Sequence, residues 1–249
     1  MQLRTRFFYL LATLLFLGGY VFLAAAESRD REASRPEPAP IGVTVDPNEP
    51  IGAARLEGGG FDFAAIRWTP ASRVLAAGVA KRIRVETDLR YALFVPSDQA
   101  DAAALDALAG DFQRDRWFMY RGKPLVYVFG TAKVPAESRF SIIRIDNGPS
   151  GDQYWISNPP NIKHGLITLT PSFAGGGLEI DPSRTGTALD QQELFAETNK
   201  DRAVLVLWHS WNVRKDRSAL LPSLIVDTDN PPSYAYERVK AFNERWKRP

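Results

Sequence analysis

The stretch Trp208-His209-Ser210-Trp211-Asn212-Val213-Arg214-Lys215-Asp216-Arg217 gathers two indoles, an imidazole, an amide and a carboxylate within ten positions. Indole faces stack on the apolar face of a pyranose, while amides and carboxylates bind its hydroxyls, so this composition suits a sugar. Trp211 is the candidate stacking platform. Asp216 is the candidate acid or base, assisted by His209 and Asn212, although its place between Lys215 and Arg217 equally suits a solvated ion pair. Trp208 continues an apolar run and reads as core. Other chemistries find little support. The chain has two histidines, His164 and His209, with no His-x-x-x-His pair, and no cysteine, so no metal site is expected. It has no Gly-x-Ser-x-Gly elbow, and Gly58-Gly59-Gly60 and Gly175-Gly176-Gly177 match neither a phosphate loop nor a dinucleotide fingerprint. No cofactor is expected.

These residues need a scaffold. Eight short apolar runs read as strands: 41–45, 62–67, 90–95, 125–129, 140–145, 153–156, 166–170 and 203–208. Most are continuous rather than alternating, the pattern of strands buried on both faces of a parallel sheet. Leu75, Val79 and Ile83 recur at helical spacing after the second run. Leu105, Leu108 and Phe112 do so after the third, with Ser97, Asp98 or Asp101 available as N-cap, and Val239, Phe242 and Trp246 form a last stripe. Strands alternating with helices predict an α/β fold, a small or trimmed (β/α)8 TIM-like barrel, with a doubly wound open sheet as the alternative. The short spacing between the fifth, sixth and seventh runs leaves little room for crossover helices there. In such a barrel the loops after the strands build the site. Asp46 follows the first strand, Arg67 and Trp68 end the second, Asp98 follows the third, Asp146 the fifth and Phe173 the seventh. Each Asp has a local alternative: Asp46 in a turn before Pro47, Asp98 as a cap, Asp146 in an Asp-Asn-Gly turn.

The 249 residues divide into three parts. Phe7 to Ala26 is an uncharged, mostly apolar run long enough to cross a bilayer as a helix, behind Arg4 and Arg6, so the first 26 residues read as a signal peptide or a membrane anchor. Residues 27–40 are a charged, proline-bearing spacer, and residues 41–249 are the expected barrel. Localisation is accordingly expected to be exported, periplasmic or extracellular, with a possible inner-membrane anchor over residues 7–26. The formal charge is +2, from 31 Lys and Arg against 29 Asp and Glu. Arg4 and Arg6 account for all of that excess. A nucleic-acid partner is therefore not expected, since phosphate neutralisation needs clustered cations.

Three segments in order, Trp117 to Phe129 (WFMYRGKPLVYVF), Leu169-Thr170-Pro171-Ser172-Phe173, and Ser210-Trp211-Asn212 with Leu221-Pro222-Ser223, resemble landmarks of glycoside hydrolase family 99 and its family 71 relatives, including related domains of bacterial polysaccharide-synthesis proteins. The resemblance covers residues 90 to 225. It implies a (β/α)8 barrel and an endo-acting glycosidase on an extracellular polysaccharide. In the family's last motif Trp-Asn is followed directly by one Glu and, three residues later, by a second. Here those places hold Val213 and Asp216. Glycoside hydrolysis ordinarily needs two flanking carboxyl groups. Two expectations follow: a hydrolase using Asp216 with a partner from Asp46, Asp98 or Asp146 and platforms from Trp211 and Trp68, or an inactive barrel that binds polysaccharide or assists its assembly.

Overall fold

The computed structural model describes residues 37–48, 52–130, 138–146, 151–153, 161–169, 182–208, 212–213, 220–221 and 234–248. The described elements all lie in one compact unit, Pro38–Arg248. Its strands are β1 (Ile41–Val45), β2 (Phe63–Arg67), β3 (Arg90–Pro96), β4 (Met119–Tyr120), β5 (Lys123–Phe129), β6 (Ser141–Ile145), β7 (Ile162–Lys163), β8 (Leu166–Leu169), β9 (Leu205–Trp208), β10 (Asn212–Val213) and β11 (Leu220–Leu221). The helices are α1 (Ala53–Gly58), α2 (Arg73–Glu86), α3 (Ala102–Asp111), α4 (Pro182–Thr198) and α5 (Tyr234–Trp246).

β1 pairs in parallel with both β2 and β9, β2 with β3, β3 with β5, β5 with β6, and β8 with β9. Two short antiparallel strands, β4 on β5 and β7 on β8, make the sheet mixed. Each is joined to its partner by a two-residue turn with positive φ at both positions, Arg121-Gly122 and His164-Gly165, the geometry that matches strand twist in tight hairpins. His164 is thus a turn residue.

The expected (β/α)8 barrel is not what forms. The described strands form a mixed half-barrel whose hydrogen-bonded path runs β6-β5-β3-β2-β1-β9-β8-β7. Helices follow β1, β2, β3 and β8, but among the described residues none joins β5 to β6 or β6 to β8. The physical reason is chain length and its use: eleven residues separate β5 from β6, fewer than the dozen or so that a parallel crossover helix needs, and the twenty between β6 and β8 are partly spent on the Gln153 bridge to Ile145 and on β7. The doubly wound alternative fails on the other criterion, helices on both faces. Of the two core clusters, one holds all the helical members, together with Val43, Ile66, Leu93, Val126 and Val206 of the sheet. The opposite, concave face has a core of its own built from strand and hairpin residues, among them Phe63, Phe94, Phe118, Tyr127, Ile143 and Leu207. Residues 7–26 lie outside the described residues, and among those described no helix is long and apolar enough to cross a membrane.

Two local features tie sequence to packing. Gly42 sits opposite Phe63 in the β1–β2 register, and the Phe63 ring occupies the space a Cβ at Gly42 would need, as close as 2.1 Å. Glycine is required there by the close approach. Phe63 in turn stacks on Phe118 at 4.1 Å. On the convex side Trp208 donates from Nε1 to Asn243 Oδ1 at 3.0 Å, and Asn243 Nδ2 donates to the Gly59 carbonyl at 2.9 Å. Asn243 thereby ties α5 to β9 and to the turn after α1. Trp208 is core, as its apolar run implies.

The helix caps and stripes refine the sequence reading. Asp101, of the three candidates, caps α3 by accepting from Ala104 N at 2.7 Å. Leu105, Leu108 and Phe112 are buried, as are Val239, Phe242 and Trp246. On α2 the buried face is Ala76, Val79, Ala80 and Ile83, so Leu75 lies on the solvent side.

Candidate functional site

The C-terminal edge of the parallel strands carries the polar residues the sequence placed there. β1 and β2 run in register through Val45 and Ile66, so the next residues, Asp46 and Arg67, emerge side by side. Arg67 Nη1 donates to Asp46 Oδ2 at 3.1 Å. The other carboxylate oxygen accepts from the Asn48 backbone N–H at 2.9 Å and from Asn48 Nδ2 at 2.7 Å, an Asx turn around Pro47. The Asp46 side chain is 7% exposed and that of Arg67 35%. Asp46 is therefore a committed acceptor, bonded on both oxygens. Its chemistry is to aim the guanidinium, whose remaining N–H donors face a third of the way into solvent and are suited to hydroxyl or carboxylate oxygens.

Further along the same edge β5 ends in Phe129, in register with Pro96 of β3 and Ile145 of β6. By strand alternation Phe129 shares the concave face with Leu125 and Tyr127. Its ring stacks beside buried Phe94 at 6.1 Å and is 37% exposed. Gly130 follows with φ +114, and a Cβ there would come within 2.4 Å of Ser97 Oγ, so the chain turns tightly against the start of the segment after β3.

Below this edge the concave face holds polar groups among its apolar ones. Gln153 forms a parallel bridge to Ile145 of β6 and donates from Nε2 to the Ile167 carbonyl at 3.1 Å and to Thr168 Oγ1 at 2.9 Å, stitching β6 to β8 with one side chain. Its Oε1 and the Tyr127 hydroxyl are buried without a hydrogen-bond partner among the described residues. Burial, with a smaller contribution from Tyr120, pushes the Tyr127 phenol well above its usual range, so it stays a neutral donor. Buried polar groups in this state are the natural partners of a ligand hydroxyl or a bound water.

No family model matches this chain, and no curated protein or solved structure matches it.

The sequence-derived candidates distribute as follows. Asp46 and Arg67 come together as described. Trp68 is buried in the core that faces the helices, its backbone N–H donating to the Phe94 carbonyl at 2.8 Å, which leaves its indole closed to a sugar. Asp98 is exposed in the single 3-10 turn after β3. Asp146 ends β6 half-buried, its N–H bonded to the Gln153 carbonyl at 3.1 Å. Asn212 and Val213 form β10, paired antiparallel with Leu221 and Leu220 of β11 in a ladder separate from the main sheet. Phe173, His209, Trp211 and Asp216 lie outside the described residues. Phe129, Tyr127, Gln153 and Thr168 are additions of the structure. Strand parity counted from Leu125 is the signal that could have found the first two. Among the described residues no group of three His, Asp or Glu is placed to hold a metal ion.

Proposed function

We propose that the folded unit recognises an extracellular or periplasmic polysaccharide along the C-terminal edge of its parallel strands, and that it holds the glycan without cleaving it. The observation that carries this reading is the Asp46–Arg67–Asn48 cluster: a carboxylate bonded on both oxygens positions a donor and is poorly placed to act as acid or base. Phe129, 37% exposed beside Phe94 at the same edge, adds aromatic surface to it. The replacement of the resembled family's first catalytic carboxylate by Val213 points the same way, because hydrolysis ordinarily needs two carboxyl groups.

Affinity electrophoresis of the full-length protein in detergent against a panel of bacterial polysaccharides tests this, with reducing-end release measured in parallel. Retardation by at least one glycan, lost in Phe129→Ala and in Arg67→Ala and accompanied by no new reducing ends, is expected. Release of reducing ends that disappears in Asp216→Asn would replace the binding reading with the hydrolase one.

A further inference from the structure

A second surface lies on the helical side of the unit, away from the strand ends. Helix α2 presents Val74, Val85 and Leu75 to solvent, 83%, 68% and 49% exposed. At 100° per residue Val74, Gly78, Lys81 and Val85 fall on one outward stripe, opposite the buried Ala76, Val79, Ala80 and Ile83. The helix carries four cations, Arg73, Lys81, Arg82 and Arg84, against one acid, Glu86. Arg73 is bonded to Asp111. No carboxylate among the described residues pairs with Lys81, Arg82 or Arg84.

Beside this stripe is a cavity of about 320 Å³ between α2 and the chain after α3. Lys81 and Arg84 line it, with Ala80, Tyr91 and Phe112 as its apolar wall and Asp111 among its polar groups. Asp111 Oδ1 accepts from Arg73, while Oδ2 is buried without a partner among the described residues. The cavity therefore offers two cations to an anionic group and one free buried acceptor to a hydroxyl.

We propose that α2 and this cavity form a membrane-surface site, the apolar stripe resting in the interface of a bilayer and the cavity taking the headgroup of an anionic glycerophospholipid. Valine and leucine beside unpaired lysine and arginine, with a single acid at the helix end, are the makeup of a helix that lies in an anionic lipid interface. The phosphate meets Lys81 and Arg84, and a glycerol hydroxyl donates to Asp111 Oδ2.

The chain has no cysteine, so Val85→Cys gives full-length protein a single labelling site. Labelled there with an environment-sensitive fluorophore, the protein is reconstituted in nanodiscs of phosphatidylcholine with or without phosphatidylglycerol. A blue shift with quenching by spin-labelled lipid is expected only with phosphatidylglycerol, while the same dye at Leu194→Cys, exposed on α4, stays water-like. Replacing Lys81 and Arg84 together by Ala lowers the docked-to-undocked ratio about thirtyfold, given the usual attraction per basic residue at an anionic surface. Asp111→Ala abolishes any preference for phosphatidylglycerol over phosphatidylmethanol, which carries the same single charge and no headgroup hydroxyl. No shift on phosphatidylglycerol, or an equal shift on phosphatidylcholine alone, overturns the proposal. So does full displacement by millimolar glycerol 3-phosphate, which would assign the cavity to a free solute.

Discussion

Removing Arg67 separates the structural and recognition roles of the strand-end cluster. Its guanidinium donates to a carboxylate that is nearly buried, yet Arg67 itself is a third exposed, so solvent screening reduces the worth of the pair below that of a fully buried one. Arg67→Ala should therefore cost about 1–2 kcal/mol, since Asp46 Oδ1 keeps both bonds from Asn48 while Oδ2 loses the bond from Arg67. Asp46→Ala removes the acceptor of all three bonds and should cost about 1–3 kcal/mol. The double variant should show a coupling of about 1 kcal/mol, because each single change removes the same contact. Urea unfolding followed by tryptophan fluorescence reads these values. Glycan affinity should respond differently. A hydrogen bond from a charged donor is worth about 1.5–3 kcal/mol, so Arg67→Ala should weaken retardation by about ten- to a hundredfold. Arg67→Lys should recover only part of it, having lost the planar fork. Arg67→Ala that unfolds earlier yet binds glycan as tightly as the native chain would refute the reasoning, leaving the pair a staple between β1 and β2 and nothing more.

Gly42→Ala should destabilise by about 1–3 kcal/mol through overpacking against Phe63, and the penalty should shrink in a Phe63→Leu background, both measured by urea midpoint. Asn243→Ala should cost about 2–4 kcal/mol because it orphans the Trp208 indole N–H and the Gly59 carbonyl together, and thermal unfolding should show it as a loss of several degrees. Burial of Asp152 works against its ionised form, but hydrogen bonds from the Arg144 side chain and backbone, the charge of Arg144 and, least, that of His164 outweigh it and hold the carboxyl below its usual range. A folded-state value below the unfolded one gives stability that is present above the ordinary carboxylate range and lost as pH falls through the folded value. Asp152→Asn should consequently lower stability at pH 7, and its difference from the native chain should vanish in acid, as read by unfolding curves from pH 7 to pH 2.

The strands were legible because a strand buried on both faces is written as a continuous apolar run, and β1, β2, β3, β5, β6, β8 and β9 all fall within two residues of the expected ranges. β4 and β7 were not, since a two-residue strand has no period, and no turn was read at Arg121-Gly122 or His164-Gly165. At the site, the pairing of Asp46 with Arg67 was half legible: both were placed at strand ends, but not in contact. Trp68 was read toward the wrong surface because parity at the end of a strand does not say whether the chain turns in or out.

Local sequence determined which apolar runs become the long strands and which stripes of α3 and α5 face the core, because these depend on neighbours within a few positions, whereas the choice of Asp101 among three caps and the need for glycine at Gly42 opposite Phe63 came with the structure. Tertiary structure decided that the sheet stays a mixed half-barrel, that helices cover one face, that Leu75 faces solvent and that Gln153 bridges β6 to β8. Those outcomes rest on contacts between residues far apart in the chain, and on the lengths of connections that a periodic pattern does not weigh.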